Sequence, residues 1–228
     1  MSEHLERLAV NGQIIHCAVC GEGKPVLLVH GNGEDHHLFG TEIRQLADAG
    51  YRVIAPDSRG HGANAPLEEY HYADMAEDVF QLIRALKLER PALYGHSDGG
   101  IIGLLLALDH PEALSLLAVS GTNLSPDGLK PEWLERFRRE YAESRDPLYA
   151  LMLAEPHINP EDLRRIGIPV LVTAGSGDLI RESETRAIAS HLPHSRLVIV
   201  PGHDHGSYID GSPVMGELLL DFLRQNGY

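Results

Sequence analysis

The segment "GHSDGG", residues 95–100, lies between an apolar run that reads as a strand, "PALYGHS", and one that reads as a helix, "GGIIGLLLALDHP". A serine hemmed in by glycines at a strand-to-helix bend fits a turn so sharp that only glycine suits the positions around it. The hydroxyl of Ser97 then projects from the top of a sheet. The following helix aims its N-terminal N–H groups at that hydroxyl, where they stabilise negative charge. A serine hydroxyl is a poor nucleophile until a base takes its proton and a carboxylate orients the base. Both partners must come from elsewhere in the chain.

On either side, "PVLLVHG", "YRVIAPD", "LSLLAVSG", "IPVLVTAG" and "SRLVIVPG" are further short apolar runs that end in glycine, proline or a polar cluster. They alternate with helical patterns such as "DMAEDVFQLIRALK" and "VMGELLLDFLRQ". Runs that are apolar on both faces and alternate with helices imply a mostly parallel sheet, covered on both sides by helices. At the start, "LERLAVNG" and "QIIHCAVCG" flank Asn11-Gly12, a strong hairpin signal, so an antiparallel pair is expected there. The total is about eight strands in an α/β arrangement.

Past the end of the strand "IPVLV" stands Asp178, in "TAGSGD", and past the next strand stand His203 and His205, in "VPGHDHGSY". Residues beyond the carboxyl ends of parallel strands meet in one crevice. Serine, acid and base candidates are therefore expected together, in the order serine, aspartate, histidine.

The chain resembles the α/β-hydrolases over nearly its whole length. "HGNG" at residues 30–33 is similar to that family's oxyanion loop, "DSRGHG" at 57–62 to its D-x-R-G-x-G loop, and "GHSDGG" to its nucleophile elbow. The resemblance implies Ser97 as nucleophile, Asp178 as orienting acid, and the backbone N–H groups of Asn32 and Asp98 as oxyanion donors. Aligning Pro201-Gly202 with the family's P-G-x-x-H pattern implies His205 as base, with His203 as the alternative. It also implies one domain, residues 1–228, acting on a small ester, thioester, lactone or amide through an acyl-enzyme, with no cofactor. A carbon–carbon hydrolase, a perhydrolase, a lyase or a non-catalytic receptor would use the same scaffold. Ser97 stands where dehalogenases and epoxide hydrolases of the family carry aspartate.

One interval breaks the strand–helix rhythm. Residues 122–157 read as an inserted helical cap, in which Trp133, Phe137 and Tyr141 recur every four residues. With Leu148, Leu151 and Met152 they are expected to form an apolar ceiling over Ser97. The acid at Asp98 reads either as a first-turn helix residue or as a pocket group that favours positively charged substrates.

Composition narrows the classes. With 19 Lys plus Arg against 33 Asp plus Glu, the formal charge is −14, which repels phosphate backbones and anionic lipid. Nucleic-acid and membrane partners are not expected. The opening "MSEHLERLAVNG" has no basic region before an apolar core, and the longest apolar run, residues 101–108, is far short of the roughly 20 residues that span a bilayer. A cytoplasmic location follows as the expectation. Fourteen histidines invite a metal reading, but no ligand spacing such as H-E-x-x-H occurs, and no metal is expected. Cys17 and Cys20 lie three apart in a strand, where they point to opposite faces, and read as two separate thiols.

Overall fold

Asn11 and Gly12 take φ of +46° and +74° and close the turn between β1 (His4–Val10) and β2 (Gln13–Cys20). The strands pair antiparallel with Val10 opposite Gln13, the register a two-residue turn of this type sets. The computed structural model describes residues 3–228. Six further strands follow: β3 (Pro25–Val29), β4 (Arg52–Pro56), β5 (Ala92–His96), β6 (Leu116–Ser120), β7 (Val170–Gly175) and β8 (Ser195–Val200). They join one sheet in the order β1-β2-β4-β3-β5-β6-β7-β8. The β2–β4 pair is antiparallel, and every pair from β4 to β8 is parallel.

Alternation along each strand divides the core into two layers. In β3, Leu27 and Val29 face the side covered by α2 (Tyr72–Ala85), α3 (Asp98–Asp109) and α6 (Glu182–His191). Val26 and Leu28 face the side covered by α1 (Gly40–Asp48) and α7 (Val214–Gln225). Each leucine buried so completely contributes roughly 1.5–3 kcal/mol. Cys17 packs in the first layer and Cys20 in the second, on opposite faces as their spacing requires. Burial pushes the Cys17 thiol up to about 12, so it stays protonated and unreactive.

Helix α3 is buried on nearly every side, which accounts for its unbroken apolar sequence: it lies between the sheet and α2. Its packing demands a close approach. A side chain at Gly99 would collide with the backbone carbonyl of Val29.

Between β6 and β7 the chain leaves the sheet and forms α4 (Pro131–Ser144) and α5 (Pro147–Ala154), each opened by a proline in its first turn. Arg145, in the left-handed region at φ +57°, ends α4. Asp146 starts α5 by accepting the Leu148 N–H at 2.8 Å. A small apolar cluster of Leu129, Leu134 and Ile180, with Trp133, Phe137, Leu153 and Leu179 against it, pins this pair to the loop after β7. Among the described residues, no helix is long and apolar enough to cross a membrane.

Candidate active site

Ser97 joins β5 to α3 with φ +53° and ψ −116°, a conformation that a non-glycine residue adopts only when its surroundings enforce it. Its N–H donates to the Ser120 carbonyl at 2.7 Å, which ties the bend to β6. Ser97 Oγ lies 3.0 Å from His205 Nε2, and His205 Nδ1 donates to Asp178 Oδ1 at 2.7 Å. Asp178 is 2% exposed, and its Oδ1 also accepts the Ile180 N–H at 2.9 Å. His205 fits because residue 121 is glycine at φ +58°: a β-carbon there would stand 2.6 Å from the imidazole Cε1. His203 takes no part in this chain. Its Nδ1 lies 3.3 Å from Ser207 Oγ, and its ring packs edge-on against Tyr208.

Asn32 follows β3 and faces the first residue of α3. Its side-chain Nδ2 donates to Asp98 Oδ2 at 3.0 Å. Neither the Asn32 nor the Asp98 N–H enters a backbone hydrogen bond among the described residues; Asp98 occupies the first helical position, whose N–H has no intrahelical acceptor.

Residues 24–157, more than half of the chain, match the sequence model of the alpha/beta hydrolase fold. The chain belongs to this family. The human serine hydrolase BPHL is 28% identical over 96% of this chain and 86% of its own length. A putative carbamate hydrolase, RutD, from Caulobacter sp. (strain K31) is 29% identical over 92% and 94%. A thermophilic esterase from Thermogutta terrifontis, 22% identical, superposes with a TM-score of 0.82 over 98% of this chain and 99% of its own, a likeness of fold.

In this α/β-hydrolase a cavity of about 280 Å³ opens above Ser97. Its roof is Phe137 from α4 with Leu148, Tyr149 and Met152 from α5. Trp133, Tyr141 and Leu151, expected in that roof, do not line it. Residues four apart on a helix advance by about 40°, so Trp133 and Tyr141 diverge by about 80° and flank Phe137 rather than sharing its direction. Trp133 packs behind Phe137 with ring centroids 6.1 Å apart, Tyr141 lies under the Arg145 guanidinium, and Leu151 is buried in the main core. Tyr149 was not among the expected residues, although it adjoins Leu148. Leu179 and Ile180, also in the wall, carried a usable signal: they directly follow Asp178 past the strand end.

The polar wall is acidic. Glu34, Asp98, Asp146 and Glu155 line the cavity, and none of its lining residues is lysine or arginine. Asp98 is thus a pocket group as well as a first-turn acid. Burial pushes its carboxyl up, against the opposing pull of hydrogen bonds from Asn32 and the Tyr72 hydroxyl. Burial likewise raises Glu34, whose Oε2 accepts the Gly31 N–H at 2.9 Å. Glu155, at the end of the cap, accepts from His71 Nδ1 at 2.7 Å and from the Tyr72 N–H at 3.0 Å.

The other histidines near the mouth serve the loops. His30 accepts the Ser58 N–H at Nε2 and pairs through Nδ1 with the Gly31 carbonyl; burial brings it down to about 4, so it is neutral. His36 Nδ1 donates to Asp57 Oδ1 at 2.7 Å. Burial alone would raise Asp57, but hydrogen bonds from the Ala63 N–H and from His36 hold it below the usual range. These bonds fasten the 57–62 loop to the segment after "HGNG", the role its backbone setting favours. Among the described residues, the group with metal-ligand spacing is Asp35, His36 and His37, outside the cavity lining.

Proposed function

We propose that the protein is a serine hydrolase that cleaves a small carboxylic ester through an acyl-enzyme. The observation that carries this reading is the line Ser97 Oγ, His205 imidazole, Asp178 carboxylate, with contacts of 3.0 and 2.7 Å, at the floor of a partly apolar cavity. His205 takes the hydroxyl proton as Ser97 attacks the carbonyl carbon, and returns it to the leaving alkoxide as the carbon–oxygen bond breaks. Water, deprotonated by the same imidazole, then attacks the acyl carbon, and the imidazolium returns the proton to Ser97 Oγ as its bond to the acyl group breaks and the acid leaves. Asp178 holds the imidazole by its Nδ1 proton, so Nε2 faces the serine and the cation formed on proton transfer is stabilised. The Asn32 and Asp98 N–H groups receive the oxyanion, an interaction commonly worth several kcal/mol in the transition state. Thioesters, lactones and amides run through the same steps.

The acidic wall narrows the substrate further. Asp98 is buried with two neutral hydrogen-bond donors and, among the described residues, no salt-bridged cation. A buried carboxylate in that position gains most from a ligand that brings a positive charge. We therefore favour esters bearing a cationic group.

The test is turnover of p-nitrophenyl acetate by the wild type and Ser97→Ala. The variant should lose nearly all activity and keep its fold, since alanine still suits the bend. More than a few per cent of wild-type turnover in that variant contradicts the acyl-enzyme.

A further inference from the structure

The Asn32 side-chain amide has two N–H protons, and the structure gives each an acceptor. Nδ2 donates to Asp98 Oδ2 at 3.0 Å and to the Leu148 carbonyl at 3.3 Å. The three residues come from three separate parts of the fold. Asn32 stands in the loop after β3, Asp98 opens α3, and Leu148 lies in the first turn of the cap helix α5. Two of them supply the N–H groups that the serine-hydrolase reading assigns to the oxyanion.

The loop itself has little to hold the Asn32 peptide. Glycine precedes and follows it, with Gly33 at φ +71°, and glycine leaves neighbouring peptides free to rotate. Gly31 is tied down by Glu34, while the Asn32 backbone N–H enters no backbone hydrogen bond among the described residues. An oxyanion donor acts through being fixed before charge develops, and a displacement of about 1 Å can cost a hundredfold in rate. The side chain supplies the anchorage that the backbone lacks. It also requires the cap to be seated, because one of its two acceptors belongs to α5.

We propose that the Asn32 side-chain amide is a positioning residue: it clamps its own peptide to Asp98 and to the cap, and so sets the distance between the two oxyanion N–H groups. The proposal rests on the serine-hydrolase reading above.

Asn32→Ala keeps the backbone N–H and removes only the clamp. The expected result is a kcat on p-nitrophenyl acetate lowered about 10- to 100-fold, with KM changed less than about threefold. The Ki of a boronic acid that mimics the tetrahedral state should rise by the same factor as kcat falls. Asn32→Asp, equal in shape but without the donor and opposed to Asp98, should lose at least as much, and it serves if the alanine variant does not fold. A purely structural role would lower the melting temperature without moving kcat and Ki together. Wild-type kcat and boronate affinity in both variants, or a loss confined to KM, would overturn the proposal. Fluorophosphonate labelling separates the two levels. If Ser97 labels in wild type and variants, the serine-hydrolase reading stands and the kinetics judge Asn32 alone. If wild-type Ser97 does not label, that reading fails and the Asn32 role falls with it.

Discussion

Asp178 meets His205 through a single carboxylate oxygen: Oδ1 lies 2.7 Å from the imidazole Nδ1, while Oδ2 is buried without a partner among the described residues. Asp178→Asn can present either an oxygen or an NH2 group to the imidazole, and the latter forces the tautomer whose proton points at Ser97. Turnover should fall by roughly 10³–10⁴-fold with little change in fold. His205→Ala should cost as much as Ser97→Ala, since both disable one proton transfer. His203→Ala should stay within a few-fold of wild type, because that ring contacts Ser207 and Tyr208 only at the loop. Steady-state kinetics on one ester rank the four variants. The reverse order of the two histidines would move the base to His203.

Asp98→Asn keeps the shape of the side chain and removes the charge. If the acidic wall selects cationic esters, the ratio of kcat/KM for a positively charged ester to that for its neutral isostere should drop about tenfold or more in the variant, the order expected for one lost charged contact. An unchanged ratio would make Asp98 a helix and loop residue with no part in selection.

The roof places chain-length selection at Phe137 rather than at Trp133. Phe137 lines the cavity and Trp133 stands behind it. Phe137→Ala should extend the accepted acyl chain, whereas Trp133→Ala should act more weakly, by loosening Phe137. A cavity of about 280 Å³ is at the low end for ligand sites, so wild type should prefer short and medium acyl groups, roughly acetyl to hexanoyl, to long-chain lipids. Measured kcat/KM across acyl lengths checks this. A wild-type optimum on long-chain triglyceride, or a stronger effect at Trp133 than at Phe137, would contradict the roof described.

Glu42, on α1, is fully buried with neither carboxylate oxygen partnered among the described residues. Burial pushes it from 4.5 up to about 8. Below pH 4.5 both folded and unfolded chains hold the proton and there is no penalty. Between 4.5 and about 8 the unfolded chain ionises while the native one does not, so stability falls as pH rises; above about 8 the loss is complete. Glu42→Gln removes this dependence. The variant should gain in melting temperature relative to wild type between pH 5 and 8.5 by up to roughly 10–20 °C, from a difference of up to about 5 kcal/mol. Parallel melting curves of the two proteins against pH would show that Glu42 is solvated or paired.

What the sequence conveyed well was whatever repeats along the chain or clusters at strand ends. The apolar runs located all eight strands, and Asn11-Gly12 located the hairpin turn, because both signals are local. Ser97, Asp178 and His205 come together because each sits just beyond a strand end, a position readable from the runs themselves. The cap was harder. Its helices were visible, but which flank of each faces the cavity depends on how α4 and α5 seat on the loop after β7, and no local pattern encodes that contact. Trp133, Tyr141 and Leu151 were misplaced for this reason, and Tyr72 and Glu155 carried no signal because they reach the site from α2 and from the far end of the cap. The second role of Asn32, through its side chain, depends on two acceptors 66 and 116 residues away in the chain.

The most direct test of the acyl-enzyme account is the mass of the protein after brief treatment with a fluorophosphonate, followed by mapping of the modified peptide. The account predicts one adduct per chain, on Ser97 in the segment 95–100, abolished in Ser97→Ala and strongly slowed in His205→Ala. No adduct on the folded wild-type protein, or one on a residue other than Ser97, would contradict it.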